Sequence, residues 1–454
     1  MKKVAIGGGQ GFWGDSPDAA IHMIRNADIQ YMGCDYLAEL TLSIMAKQQL
    51  KDPTKGFAPD FTTRILKEAG KEAWDKHIKI CTNAGGMNIN GCVDGIRQWA
   101  EGNSMSGYKI GYVTGDNIKD KIPQLLKDGW TFPNFDYDGN FNDILDKIYN
   151  CNVYIGHEGI EGCLAEGADV VITGRAADSA LFLAPLKYEF GWAADDWDNL
   201  ARGIMAGHLL ECAGQVTGGY FADPGYKDVP DLWKLGFPLI EIDETGVFPV
   251  TKVAGRGGLV SVDACHEQMI YEIHNPKAYL TPDATADFSK VTFRQIGENQ
   301  VRAEHATTHG RPETLKVSVG YKDCFIGEGE ISYGGSNCMA RAELAAEILE
   351  KRIELTGIEL EEYRTDFIGC NSLYRDAISK EIGSGTPCEV RLRAAGRTKD
   401  RKNAVLLANE VEALYTNGPA GGGGAVKRVS EIVSVCSIFV PRDAVEAKVT
   451  FREV

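Results

Sequence analysis

KICTNAGGMNINGCVDGIRQWAE, residues 79–101, decides how the first half of the chain is read. Residues 79–82 form a short β-prone run, the next few are small or polar, and 91–101 carry apolar residues at helical spacing. Strand, loop and helix follow one another with no spare length. The same texture recurs on both sides. Runs at 3–7, 29–34, 109–114, 152–155 and 169–173 each stop at small or polar residues, and helical patterns cover 18–26, 36–49 and 118–128. Strands alternating with helices predict βαβ units with right-handed crossovers. The expected fold class is therefore α/β, with a mostly parallel sheet flanked by helices in an N-terminal body. Ligands bind such sheets at the carboxyl ends of the strands, which is where the glycine-rich segments fall.

Beyond residue 200 the pattern changes. A helix is expected at 203–213. It leads into QVTGGYFADPGYKDVPD (215–231), a turn-rich stretch of the kind that forms functional loops. A β-hairpin is expected at 237–253, a helix at 264–273, and strands at 291–301 and 314–320. Residues 339–356 are rich in Ala, Leu and Glu with helical periodicity. Strands are expected at 389–395, 405–408 and 433–439. The division drawn from this texture is a core domain over 1–356 and a smaller α+β C-terminal domain over 357–454.

Composition narrows the function. The 454 residues are 25% charged and 44% hydrophobic, an ordinary globular balance. The 48 basic and 64 acidic residues give a net charge of −16. No basic run marks a nucleic-acid or anionic-membrane face. No apolar stretch is long enough for a membrane-spanning helix. MKKVAIGGG opens as a strand, not as a signal peptide, so a cytoplasmic location is expected. The twelve cysteines have no C-x-x-C spacing and are expected to be reduced and mostly buried.

Several motifs carry residues suited to chemistry. Gly9, Gly11 and Gly14 match the dinucleotide pattern, but Phe12 and Trp13 fill the loop and Asp15 opposes a phosphate, so this is weak support for a redox enzyme. Asp35 and Glu39 lie four apart at the start of a helix and can split acid and base roles; an N-cap acid with a solvated neighbour is the competing reading. Asn83, Gly85 and Gly86 expose backbone N–H groups suited to an oxyanion, although an ordinary turn has the same composition. Arg175 can clamp a carboxylate or pair internally with Asp178. His208, Glu211 and Cys212 share one helical face. They lack the H-E-x-x-H spacing of a zinc site, so a hydrogen-bonded His beside a buried Cys is the stronger reading against metal, and acid–base use of His208 or Glu211 stays open. Lys252, Arg256 and Gly257 suit an anion. Glu328 and Glu330 point to one face of a strand whose glycines allow close packing on the other. The GPAGGGG run at 418–424 lacks the P-loop lysine, and no G-x-S-x-G occurs. His305 and His309 read as surface residues, and no metal site is expected.

Taken in order, DSPDAA, DYLAELTLSIMA, TNAGGMN, GADVVITGRAADSALFLAPL, AGHLLECAGQVTGGYFADPGYKDVPDLWKLGFP, GGLVSV, YEIHNPKAYLTPD, TLKVSVGYKD, GEGEISY and YTNGPAGGGGA span nearly the whole chain. Together they resemble the acyclic terpene utilisation (AtuA) family. The resemblance implies an AtuA core with a ferredoxin-like or α+β C-terminal unit, a catabolic setting with acyl-CoA intermediates, and a small AtuA-related companion subunit. Family-like positions include Asp15, Asp35, Glu39, Asn83, Arg175, Asp178, His208, Glu211, Tyr220, Asp223, Lys252, Glu328 and Glu330.

The expected activity is proton abstraction next to a carbonyl, of hydratase, dehydratase or carbon–carbon lyase type. Its substrate is an acyl-CoA or a small branched or dicarboxylic acid, with coenzyme A as part of the substrate and no separate cofactor. Glu328 or Glu330 is the expected base and His208 or Glu211 the proton donor, with Asp35 as a further acid. Asn83, Gly85, Gly86, Arg175, Asp178, Lys252, Arg256, Gly257 and Tyr220 are the expected substrate contacts. A non-catalytic acyl-CoA-binding or scaffold subunit is the alternative. Homo- or hetero-oligomerisation is expected from the loop aromatics.

Overall fold

The computed structural model describes residues 2–133, 139–383, 385 and 387–454. The chain divides into two compact units, Met1–Gly320 with Val435–Val454, and Tyr321–Ser434. The division expected near 356 thus falls inside the second unit, directly after the helix Cys338–Thr356.

The strands run in chain order as β1 (Lys3–Gln10), β2 (Tyr31–Cys34), β3 (Lys79–Thr82), β4 (Lys109–Thr114), β5 (Ile148–Val153), β6 (Val170–Thr173), β7 (Pro238–Asp243), β8 (Phe248–Lys252) and β9 (Tyr279–Leu280). They continue as β10 (Thr285–Asp287), β11 (Thr292–Gly297), β12 (Gln300–Glu304), β13 (Thr307–Thr308), β14 (Thr314–Gly334), β15 (Glu362–Ile368), β16 (Glu389–Thr398), β17 (Gly423–Pro441) and β18 (Lys448–Glu453). The first unit is built on a ten-stranded sheet in the order β11-β12-β8-β7-β1-β2-β3-β6-β4-β18.

Five neighbouring strands, β1, β2, β3, β6 and β4, are mutually parallel. The flanks are not. The hairpin β7–β8 adds antiparallel to β1, β12 and β11 extend it, and β18 returns antiparallel to β4. The sheet is therefore mixed, which corrects the mostly parallel expectation. Hairpins need only short turns and extend an edge antiparallel, whereas a parallel addition requires a crossover helix.

Three further element assignments change, the first being the single strand expected at 291–301, which is the antiparallel hairpin β11–β12. The segment expected at 152–155 belongs to β5, which pairs with β14 and not with the parallel strands. Residues 405–408 lie in the helix Arg401–Asn417 and are not a strand.

The parallel strands are apolar on both faces because helices cover both. Along β6, Val171 packs into one core, while Val170 and Ile172 pack into the other. The first core holds Leu181, Phe182 and Leu183 of the helix Ala180–Phe190, with Ile204 and Leu209 of the helix Trp197–Leu210. The second holds Ile21, Ile24, Met45, Phe61 and Ile96. Gly207 matters for the site: a Cβ there would sit 2.6 Å from Ser179 Cα, so its absence lets the two helices meet just where Asp178 and His208 reside.

In the second unit, β15-β16-β14-β17 form an antiparallel sheet, and its core joins Ile331, Tyr333 and Leu392 to Ala342, Leu349, Val411 and Leu414 of the helices 338–356 and 401–417. Gly327 and Gly329 face the second helix, where an added Cβ would lie 2.1 Å from Ala404 O and 2.5 Å from Val411 Cβ. The close packing expected of these glycines is present.

Candidate functional site

The carboxyl ends of β1, β2 and β6 open into a cavity of about 860 Å³ in the first unit. Residues singled out in the sequence line it, among them Asp35, Glu39, Arg175, Asp178, His208 and Glu211. Tyr220 also lines it, 92% exposed and with a positive φ of 61°.

Arg175 follows β6 by two residues and is 2% exposed. Its Nη1 donates to Leu37 O at 2.5 Å and to Asp178 Oδ1 at 2.8 Å, and the guanidinium lies 4.0 Å from the Tyr154 ring centroid. Of the two readings of Arg175, the internal pair with Asp178 is the one formed. Glu39 sits beside it, bonded by the Tyr154 hydroxyl and by Lys316 Nζ at 3.3 Å. Burial raises the Glu39 carboxyl, but Arg175, Lys316 and Tyr154 outweigh that and hold it down at about 2.

Asp35 follows β2 and is buried. Its Oδ1 accepts from Asn83 Nδ2 at 2.6 Å and from Leu37 N at 3.0 Å. Burial and the nearby Asp178 carboxylate push the Asp35 carboxyl well above the usual range, against the opposing pull of Arg175 and these hydrogen bonds.

His208 and Glu211 end the helix 197–210 and close the cavity from another side. His208 is 1% exposed, between the Tyr279 and Phe288 rings. Its Nε2 lies 3.3 Å from Met269 O, an acceptor, so that nitrogen carries a hydrogen. Its Nδ1 lies 2.9 Å from Glu211 Oε1, and the two groups share the remaining proton. Glu211 Oε2 is buried without a partner. Burial raises the Glu211 carboxyl to about 7 although the imidazole pulls the other way. The imidazole, disfavoured by burial as a cation, is nonetheless raised by Glu211. The pair holds its shared proton to higher pH than a free carboxylate does.

The structure sends other expected residues elsewhere. Asn83 is fully buried and engaged with Asp35 and with Tyr36 N; it positions the acid and does not line the cavity. Gly85 and Gly86 are packing positions, and a Cβ on Gly85 would meet Thr173 O at 2.6 Å. Lys252, Arg256 and Gly257 form a closed turn away from the cavity: Lys252 Nζ donates to Arg256 O at 2.7 Å, and Arg256 Nη2 donates to Asp18 O at 3.0 Å. Glu328 and Glu330 share a strand face as expected, but in the second unit. There they pair with Arg393 and Arg391 and do not line the cavity. Cross-strand neighbours of opposite charge satisfy them.

The loop glycines near Gly11 are likewise closed to a phosphate. Asp15 Oδ2 accepts from Gly11 N at 3.1 Å, and a Cβ on Gly11 would lie 2.8 Å from the Cys212 backbone.

Tyr154, Lys316, Glu272 and Tyr279 line the cavity without having been picked out. Lys316 lies in an ordinary strand pattern, and only the β5–β14 pairing brings it to Tyr154, whose N donates to Lys316 O at 3.0 Å. Tyr154 alone had a local signal, its place at the end of an expected strand.

Among the described residues, one cluster has metal-type ligands: His157, Glu158 and Asp283. Its members pair in part with one another and with neighbours, while Asp283 Oδ2 is buried without a partner. His157 Nδ1 is 2.7 Å from Asp283 Oδ1, and Glu158 pairs with Arg311. None of the three lines the cavity.

The family model described as acyclic terpene utilisation family protein AtuA matches residues 4–451. The chain belongs to the AtuA family. The match runs through both units, so the second unit is part of the AtuA pattern and not an appended module. No curated protein matches this AtuA chain. No helix among the described residues is long and apolar enough to cross a membrane. The AtuA chain's twelve cysteines are free, and most are buried.

Proposed function

We propose that this AtuA-family chain is a catabolic enzyme that takes a proton from the carbon next to a thioester carbonyl. The reaction class is a lyase, of hydratase, dehydratase or carbon–carbon cleaving type, and the substrate is an acyl-CoA with a small branched acyl group. The observation that carries the reading is Glu211. One of its oxygens is held by a buried imidazole, and the other has no partner at the wall of a cavity. A base whose pKa lies near the working pH combines the right protonation state with driving force. His208 is its positioning residue, since both imidazole nitrogens are engaged within the protein.

The lining supports an uncharged reacting end. Arg175 and Lys316 are already charge-matched by Asp178 and Glu39, which disfavours a second carboxylate there. Leu37, Leu235, Phe237, Leu315 and Phe439 supply apolar wall for an acyl chain. The thioester therefore fits better than a free dicarboxylic acid, with the nucleotide end of coenzyme A at the mouth near Tyr220.

Proton exchange in deuterium oxide tests this. Branched and linear acyl-CoA esters are incubated with the protein and the α-proton signal is followed by NMR. The expected result is exchange with the wild type and its loss in Glu211→Gln. Thioester binding with no exchange moves the chain to a non-catalytic acyl-CoA-binding role beside a companion subunit. Absence of binding rejects the acyl-CoA substrate.

A further inference from the structure

The floor of the cavity gathers three carboxyls around one guanidinium. Arg175 is bonded to Asp178 at 2.8 Å, and Asp35 and Glu39 both feel its charge. Lys316 adds a second cation, 3.3 Å from Glu39. Two cations are thus matched by Glu39 and Asp178, and an ionised Asp35 would leave one uncompensated negative charge in a buried site. Burying an unpaired charge is costly, and such groups neutralise instead. Cys212 and Cys34 also face Asp35 and bring no positive charge.

The hydrogen bonds assign the two oxygens of Asp35. Asn83 Nδ2 and Leu37 N both donate to Oδ1, so Oδ1 is the carbonyl-type acceptor. Among the described residues, none bonds Oδ2, and Asp35 lines the cavity.

We infer that Asp35 is the uncharged acid of this site, carrying its proton on Oδ2 and donating it as a hydrogen bond to the substrate's carbonyl oxygen. The inference rests on the proposed reaction for its role, though not for the protonation itself. In that reaction the α C–H bond breaks, its proton goes to Glu211 Oε2, and the electron pair moves toward the carbonyl oxygen. The hydrogen bond from Asp35 strengthens as that oxygen becomes anionic, which is how a preorganised donor accelerates proton abstraction. The two acids are set apart by their surroundings: Glu211 is held by an imidazole, and Asp35 by two neutral donors and a neighbouring carboxylate.

The protonation is measured without any substrate. The whole chain is labelled with ¹³C at aspartate carboxyls only, and isotope-edited infrared spectra are taken at neutral pH. A carboxylic-acid C=O band is expected in the wild type and is lost in Asp35→Asn. It is also expected to disappear in Asp178→Asn, where the freed Arg175 charge ionises Asp35. Absence of the band in the wild type, or its persistence in Asp35→Asn, overturns the inference, whatever the enzyme turns over. In the exchange assay, Asp35→Asn keeps a neutral donor on the cavity side. It is expected to retain exchange within roughly tenfold of wild type, while Asp35→Ala loses on the order of a hundredfold. Equal losses in the two variants, with both folded, overturn the donor role.

Discussion

Each carboxyl around the cavity has a different character, and the neighbours decide it. Glu39 is fixed as an anion by two cations and a tyrosine, while Glu211 is kept near neutrality by burial beside one imidazole. Replacing Glu211 by Gln preserves size and removes the base, so exchange or turnover should fall by about 10²–10⁴-fold. His208→Ala should lower the rate and also shift its pH dependence to the alkaline side, because the imidazole holds the Glu211 carboxyl down against burial; a pH–rate profile checks this. Glu330→Gln, by contrast, should leave cavity function untouched. It removes one partially exposed ion pair with Arg391, a change of about 0.2–1 kcal/mol in urea unfolding.

Asp196 begins the helix 197–210, which carries His208 at its far end, by accepting from Asn199 N at 3.3 Å. Asp196→Ala should cost about 1 kcal/mol of stability by equilibrium unfolding. Gly207 sets up a sharper contest. Alanine gains up to about 1 kcal/mol in helix propensity. Its Cβ would nevertheless lie 2.6 Å from Ser179 Cα and 2.7 Å from Ser179 O, where only backbone can move. Overpacking of this kind costs about 1–3 kcal/mol, so Gly207→Ala should be net destabilising and should also separate His208 from the Arg175–Asp178 pair. A variant as stable as wild type would show that the two helices slide apart more easily than this packing implies.

The charges act on the whole molecule through pH. Glu39 has a folded-state pKa of about 2 against an ordinary 4.5, so its contribution is present above about 4.5 and is lost as pH falls toward 2. Glu211 and His208 are both raised, so their contributions are present at low pH and fade as pH rises, that of Glu211 through about 7. The stability profile should therefore slope on both sides. Glu39→Gln should flatten the acid limb and Glu211→Gln the neutral one, as read from urea midpoints across pH. An unchanged acid limb in Glu39→Gln would mean that other carboxylates carry it.

Local pattern in the sequence was enough for the parallel strands, for the helix Asp18–Asn26 and for the long helix after Asn337, because alternation and helical spacing are properties of neighbouring residues. It also brought out Asp35, Arg175, Asp178, His208 and Glu211, all placed at or near element ends. What it could not contain is pairing between distant segments. The antiparallel flanks of the sheet, the contact of Arg175 with Leu37 and Tyr154, the place of Glu328 and Glu330 among arginines, and the arrival of Lys316 and Tyr154 at the cavity all depend on such pairing. A carboxylate reads the same in every sequence; its charge state follows from the cations, donors and burial that only the folded chain assembles around it.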